Sequence, residues 1–106
     1  MEYLKSYINR IKDRGNPELA ASLKQTATEV GKQHLESFSW IDHNTGLLFG
    51  NIQSGKTGQM FGIICEAADR GFPVFVLLTT DNVTLQQQTL KRAQKDLPEF
   101  CICGEP

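Results

Sequence analysis

The feature that most constrains this chain is the octapeptide Gly50-Asn51-Ile52-Gln53-Ser54-Gly55-Lys56-Thr57. It satisfies the phosphate-loop (Walker A) pattern G-x-x-x-x-G-K-[S/T] at every fixed position. A loop of this kind is normally fed by a buried strand and opens directly into a helix. Residues 46–49 are short and apolar enough to read as that strand. From about residue 55 to residue 70, Met60, Phe61, Ile63, Ile64, Ala67 and Ala68 are the apolar residues of a helix, with Gly71 as its C-terminal cap.

Each fixed residue has a chemical reason. Gly50 and Gly55 let the backbone wrap around phosphate oxygens. The amides from about Gln53 to Thr57 then face an anion at a helix N-terminus, which carries roughly half a positive charge. Asn51 and Ser54 complete the loop that cradles the phosphates. Lys56 is expected to reach the β and γ phosphates of ATP, and the Thr57 hydroxyl to ligate Mg²⁺, so Lys56 and Thr57 are the candidate catalytic residues. The competing reading is an ordinary Gly-rich turn carrying a solvated lysine.

The rest of the chain reads as helices alternating with apolar runs. Leu4, Tyr7, Ile8 and Ile11 stand at helical spacing up to Arg14, with Gly15 as the stop. Asn16 and Pro17 suit the start of a second helix whose apolar face is Leu19, Leu23, Ala27 and Val30, running towards Leu35 and weakened at Gly31. Residues 72–80 form a nearly continuous Val/Phe/Leu run, the pattern of a parallel strand covered on both faces. A helix capped by Asp81 or Asn82 follows, with Leu90, Ala93 and Leu97 on one face and Pro98 as its end. Residues 100–103 then read as a third strand. The expected fold is α/β: a partial P-loop (RecA-like) parallel sheet with flanking helices, residues 46–106, behind a helical N-terminal extension, residues 1–45.

The segment GLLFGNIQSGKTGQMFGIICEAADRGFPVFVLLTTDNVTLQQQT, residues 46–89, resembles the first two conserved blocks of superfamily 2 (DEAD/DEAH-like) helicase-type ATPases. The nearest likeness is to the bacterial proteins that travel with restriction and phage-defence systems. The resemblance implies ATP and Mg²⁺ as cofactors, DNA-directed helicase or translocase activity in the whole protein, and a nucleic-acid partner. Thr79 and Thr80, with Leu85 and Gln88 beyond them, match the block that touches the nucleic-acid backbone. Hydroxyls and helix-start amides can bind a phosphodiester there without strong positive charge. A polar strand end and helix cap is the plainer alternative.

The chain also departs from that family. No acidic pair follows an apolar run, and no arginine finger is identifiable; Asp81 lies two threonines past its strand and lacks a following Glu. Only about 49 residues follow Thr57, few for a complete P-loop domain, so the expectation is an N-terminal piece of a longer protein. A sheet cut short would leave an edge or apolar face exposed and favour self-association. Two rivals stand beside the helicase reading: a small nucleotide or metabolite kinase using Asp81, and a module that binds an anion or a partner without catalysis.

The remaining residues narrow the field. A net charge of −1 and a pI near 6.1 supply no global attraction to nucleic acid. Three cysteines, an odd number, and an opening MEYLKSYINR without a secretory apolar run point to a cytoplasmic setting, and no run suffices to span a bilayer. Cys101 and Cys103 lack the companion ligands of a metal site and read as buried strand residues, and Cys65 as a small core residue. His34 and His43 read as surface or capping residues. Phe38 and Trp40 either stack on a base or, as favoured here, pin the N-terminal helices onto the sheet.

Overall fold

The computed structural model describes residues 2–40, 56–77 and 83–102. In it the chain divides into two units, Met1–Pro73 and Val74–Pro106.

The first unit is built from helices α1 (Tyr3–Asp13), α2 (Pro17–Val30) and α3 (Lys56–Asp69). Each contacts the other two. Their apolar residues explain the arrangement. Leu4, Tyr7, Ile8 and Ile11 form a buried stripe on α1 at the i, i+3, i+4, i+7 spacing. Ala20, Leu23 and Ala27 do the same for α2, and Phe61, Cys65 and Ala67 are the buried apolar side chains of α3. Tyr7, Leu23, Phe61 and Cys65 are the largest fully enclosed side chains, so the core forms where the three stripes meet. Small residues let the helices approach: a Cβ at Gly62 would lie 3.6 Å from the Leu23 carbonyl oxygen and 3.7 Å from the Ala27 Cβ, ordinary contact with α2.

The helix boundaries follow from backbone chemistry. Gly15, at φ +85°, separates α1 from α2, and Gly71, at φ +99°, follows α3; both conformations are ones that side-chain-bearing residues rarely adopt. Helix α2 ends at Val30 with Gly31 as its C-cap, but the chain stays helical. The chain continues there as a π-helical turn, Gly31–Leu35. The reason for glycine is contact: a Cβ at Gly31 would collide with the Glu66 carboxylate and stand 2.8 Å from Arg70 Nε. Those two side chains, Glu66 on α3 and Arg70 just past its end, form an ion pair of 2.6 Å, largely shielded from solvent. Phe38 and Trp40, just beyond the π-helical turn, pack on Phe72, with ring centroids 5.3 Å and 4.6 Å from it respectively. They are 5.3 Å from each other, edge to face.

The second unit holds α4 (Val83–Asp96), with Ala93, Asp96 and Leu97 buried. Arg92 Nε lies 3.4 Å from Asp96 Oδ2, one turn along the same helix. Phe75 and Phe100 meet edge to face at 6.0 Å.

The α/β expectation, with its parallel sheet of P-loop type, is overturned: among the described residues every regular element is a helix and there is no strand. Residues 72–77 and 100–102 carry no strand structure, and Val74 and Val76 are 75% and 78% exposed where a doubly covered strand was expected. Residues 46–50, 78–80 and 103 of the expected strands lie outside the described residues. The physical reason is that a Val/Phe/Leu run reports suitability for a pleated, packed surface, whereas a strand exists only with a partner for its backbone groups. Among the described residues no such partner pairs with 74–77. Cys101, expected to be buried in the third strand, is exposed. Phe38 and Trp40 do pin the segment after the helices, but onto Phe72 and not onto a sheet.

Candidate nucleotide-binding site

The loop residues Gly50, Asn51, Gln53, Ser54 and Gly55 lie outside the described residues. Those that are described form the helix the loop runs into. Helix α3 is described from Lys56, so Lys56 and Thr57 of the motif lie at the start of its described range. Amides in the first turn of a helix have no carbonyl partner within it, and together with the helix dipole they favour an anion. No acidic residue occupies the first turn of α3 to neutralise that end. Thr57 is partly exposed, while Gly58, the next residue, is buried.

This first turn is held from two sides. The Tyr7 hydroxyl of α1 donates to the Gly58 carbonyl oxygen at 3.0 Å in a buried setting. Gln59 Nε2 donates to Ser22 Oγ of α2 at 3.2 Å. The other amide atom, Gln59 Oε1, is buried and has no hydrogen-bond partner. At the far end of α3, the Asp69 carboxylate accepts the Tyr3 and Leu4 amides at 2.8 Å and 3.1 Å. Helix α1 therefore begins beside the C-terminal end of α3 and reaches its first turn through Tyr7.

Sequence reasoning missed Tyr7, Ser22 and Gln59 as neighbours of the motif. For Tyr7 a signal was present: it is the one polar-tipped residue in the apolar stripe of α1, and a buried tyrosine hydroxyl needs a partner. For Gln59 and Ser22 no sequence signal links positions so far apart.

Thr79, Thr80 and Asp81, the candidates for nucleic-acid and metal contact, lie outside the described residues, as do His43 and Cys103. Helix α4 opens at Val83, just beyond them. His34 is exposed on the π-helical turn, and Cys65 is buried in α3, both as the sequence suggested. Among the described residues, no three His, Cys, Asp or Glu side chains come together in a way that could hold a metal ion, so the Thr57 hydroxyl remains the residue available for Mg²⁺ on the sequence argument alone. An open depression of about 350 Å³ runs along α2 beside Lys24, Gln25, Thr28 and Lys32, and holds no motif residue. None of the helices is long and apolar enough to cross a membrane, among the residues described.

Comparison with family models, with curated proteins and with solved structures finds no match to this chain.

Proposed function

We propose that residues 50–57 bind the phosphates of ATP with Mg²⁺, and that the chain is the nucleotide-gripping segment of a DNA-directed helicase or translocase ATPase. The observation that supports phosphate binding is that Lys56 and Thr57, the last residues of a fully matched G-x-x-x-x-G-K-T motif, are helical and begin the described range of α3, as a phosphate loop that opens into a helix requires. Lys56 is the cation for the β and γ phosphates, and Thr57 the Mg²⁺ ligand. The reading rests on the motif and the helix, without support from a sheet. The helicase part rests on the resemblance of residues 46–89 and includes nucleic-acid contact through Thr79 and Thr80.

Binding without hydrolysis is the second reading, favoured by one sequence observation: no Asp-Glu pair exists anywhere in the 106 residues to hold Mg²⁺ and orient water. Thermal-shift measurements with ATP, GTP and acceptor nucleosides, each with and without Mg²⁺, test the proposal. Stabilisation by ATP that grows with Mg²⁺ supports it. Stabilisation by acceptor nucleosides points to a kinase, and no shift with any nucleotide removes the phosphate-loop reading.

A further inference from the structure

We infer that the solvent-facing side of α4 is a docking surface for the phosphate backbone of duplex DNA. The inference adds a surface to the nucleic-acid contact proposed above at Thr79 and Thr80, and it draws on nothing in residues 50–57. Ala93 of α4 is buried, as is Leu97 just past its end, whereas Gln87, Gln88, Lys91, Arg92, Gln94 and Lys95 are exposed. At 3.6 residues per turn those six fall within about 160° of arc, centred opposite Ala93. They hold cations and amides and no carboxylate. The one acidic residue of the helix, Asp96, is 3% exposed and stands 3.4 Å from Arg92 Nε. Glu99 lies past Pro98, outside the helix. The exposed charges of α1 and α2 are mixed instead: Lys12 is followed by Asp13, and Glu18, Lys24 and Glu29 alternate in sign.

A helix face that meets only water gains from a carboxylate four residues ahead of each cation. Here Gln87 stands four residues before Lys91 and Gln88 four before Arg92, so both places hold a neutral amide of nearly the same helix propensity as Glu. Lys91 and Lys95 are of like sign, one turn and about 6 Å apart along the axis, which by itself disfavours the helix. The face thus concentrates positive charge that its own helix does not neutralise, in a chain whose net charge is −1. Its complement is a dense row of negative charge, and duplex DNA carries one per roughly 1.7 Å of its axis. The glutamines suit the same partner, because amide side chains donate to phosphate oxygens alongside Lys and Arg. Three cations set the scale of the interaction, which is weak, indifferent to sequence and steeply salt-dependent.

The test is fluorescence anisotropy of a short labelled duplex of mixed sequence, titrated with the 106-residue chain over a series of salt concentrations. The double variant Lys91→Gln/Lys95→Gln is expected to weaken binding about tenfold at low salt and to flatten the slope of log affinity against log salt by about 2. Lys12→Gln/Lys24→Gln removes the same charge from α1 and α2 and is expected to stay within about twofold of wild type. Gln87→Glu/Gln88→Glu supplies the missing carboxylates, and is expected to abolish binding with the melting temperature equal to or above that of wild type, so that the loss is not one of folding. Unchanged affinity in Lys91→Gln/Lys95→Gln, or an equal loss in Lys12→Gln/Lys24→Gln, overturns the α4 surface. If Thr79→Ala/Thr80→Ala still weakens binding in that case, the nucleic-acid reading stands without it. Equally tight capture of polyglutamate or of phosphatidylserine vesicles, with the same dependence on Lys91 and Lys95, overturns the assignment to DNA. No binding of the duplex by wild type at low salt overturns both the surface and the contact at Thr79 and Thr80.

Discussion

Asp69, the last residue of α3, accepts the Tyr3 backbone amide at 2.8 Å through Oδ1, while its Oδ2 takes the Leu4 amide at 3.1 Å. Helix α1 thus receives its N-terminal cap from a residue more than sixty positions away. Glu2, in the local cap position, makes no side-chain cap bond, and the first turn of α1 contains no acidic residue. A carboxylate at this end also complements the helix dipole. Asp69→Ala should therefore cost about 0.5–2 kcal/mol of stability, as loss of a cap does. Urea unfolding followed by circular dichroism measures it, and a midpoint equal to wild type would show that Asp69 does not hold α1.

Gly31 offers a test of the contact between the π-helical turn and α3. Its missing Cβ makes room for the Glu66 carboxylate, which is paired with Arg70. Gly31→Ala would gain helix propensity in isolation, but overpacking of this kind costs about 1–3 kcal/mol. The expected outcome is net destabilisation, relieved when Glu66→Ala is added. The double-mutant cycle should show coupling between the two positions, since they touch. Additive effects would place the cost of Gly31→Ala elsewhere.

The helices were legible in the sequence because each announces itself locally. The Leu4, Tyr7, Ile8, Ile11 stripe, the Asn16-Pro17 start and the positive-φ glycines at 15 and 71 are short-range signals, and the helices begin and end beside them. The misread elements needed distant partners. Residues 72–77 have strand composition, but pairing is a property of two segments, and the sequence of one cannot supply the other. The Asp69 cap, the Tyr7–Gly58 bond and the Phe38–Trp40–Phe72 cluster are tertiary for the same reason. Of the candidate site, the motif residues and the helix behind them could be read in the sequence, whereas the side chains that brace that helix could not.

The exposed run gives a direct check on the corrected fold. Val74 and Val76 are mostly solvent-accessible, so Val74→Thr and Val76→Thr should each change stability by less than about 0.5 kcal/mol. A valine enclosed on both faces of a sheet would instead bring a desolvated hydroxyl into the core and cost roughly 1–3 kcal/mol. Losses of that size at either position would show that the run is buried in solution.

On the proposed reading, grip and chemistry separate in this chain. Phosphate binding by such a loop would need its amides, Lys56 and Thr57, while rapid hydrolysis needs a further carboxylate and an arginine worth roughly 10³ to 10⁵ in rate in P-loop NTPases. With no identifiable candidate for either in the 106 residues, phosphate release from ATP should stay at background in a malachite-green assay. Turnover that disappears in Lys56→Ala would mean that the chain carries its own catalytic groups.

The most direct measurement is titration calorimetry of ATP-Mg²⁺ into the wild-type chain and into Lys56→Ala. The lysine is expected to contribute a charge-assisted interaction of about 1.5–3 kcal/mol, so its removal should weaken binding about 10- to 100-fold, with the helical circular dichroism spectrum unchanged. Saturable binding by wild type with that loss in the variant is the result expected of a phosphate loop at residues 50–57. Equal affinity in the two proteins, or no binding by a folded wild-type chain, would contradict it.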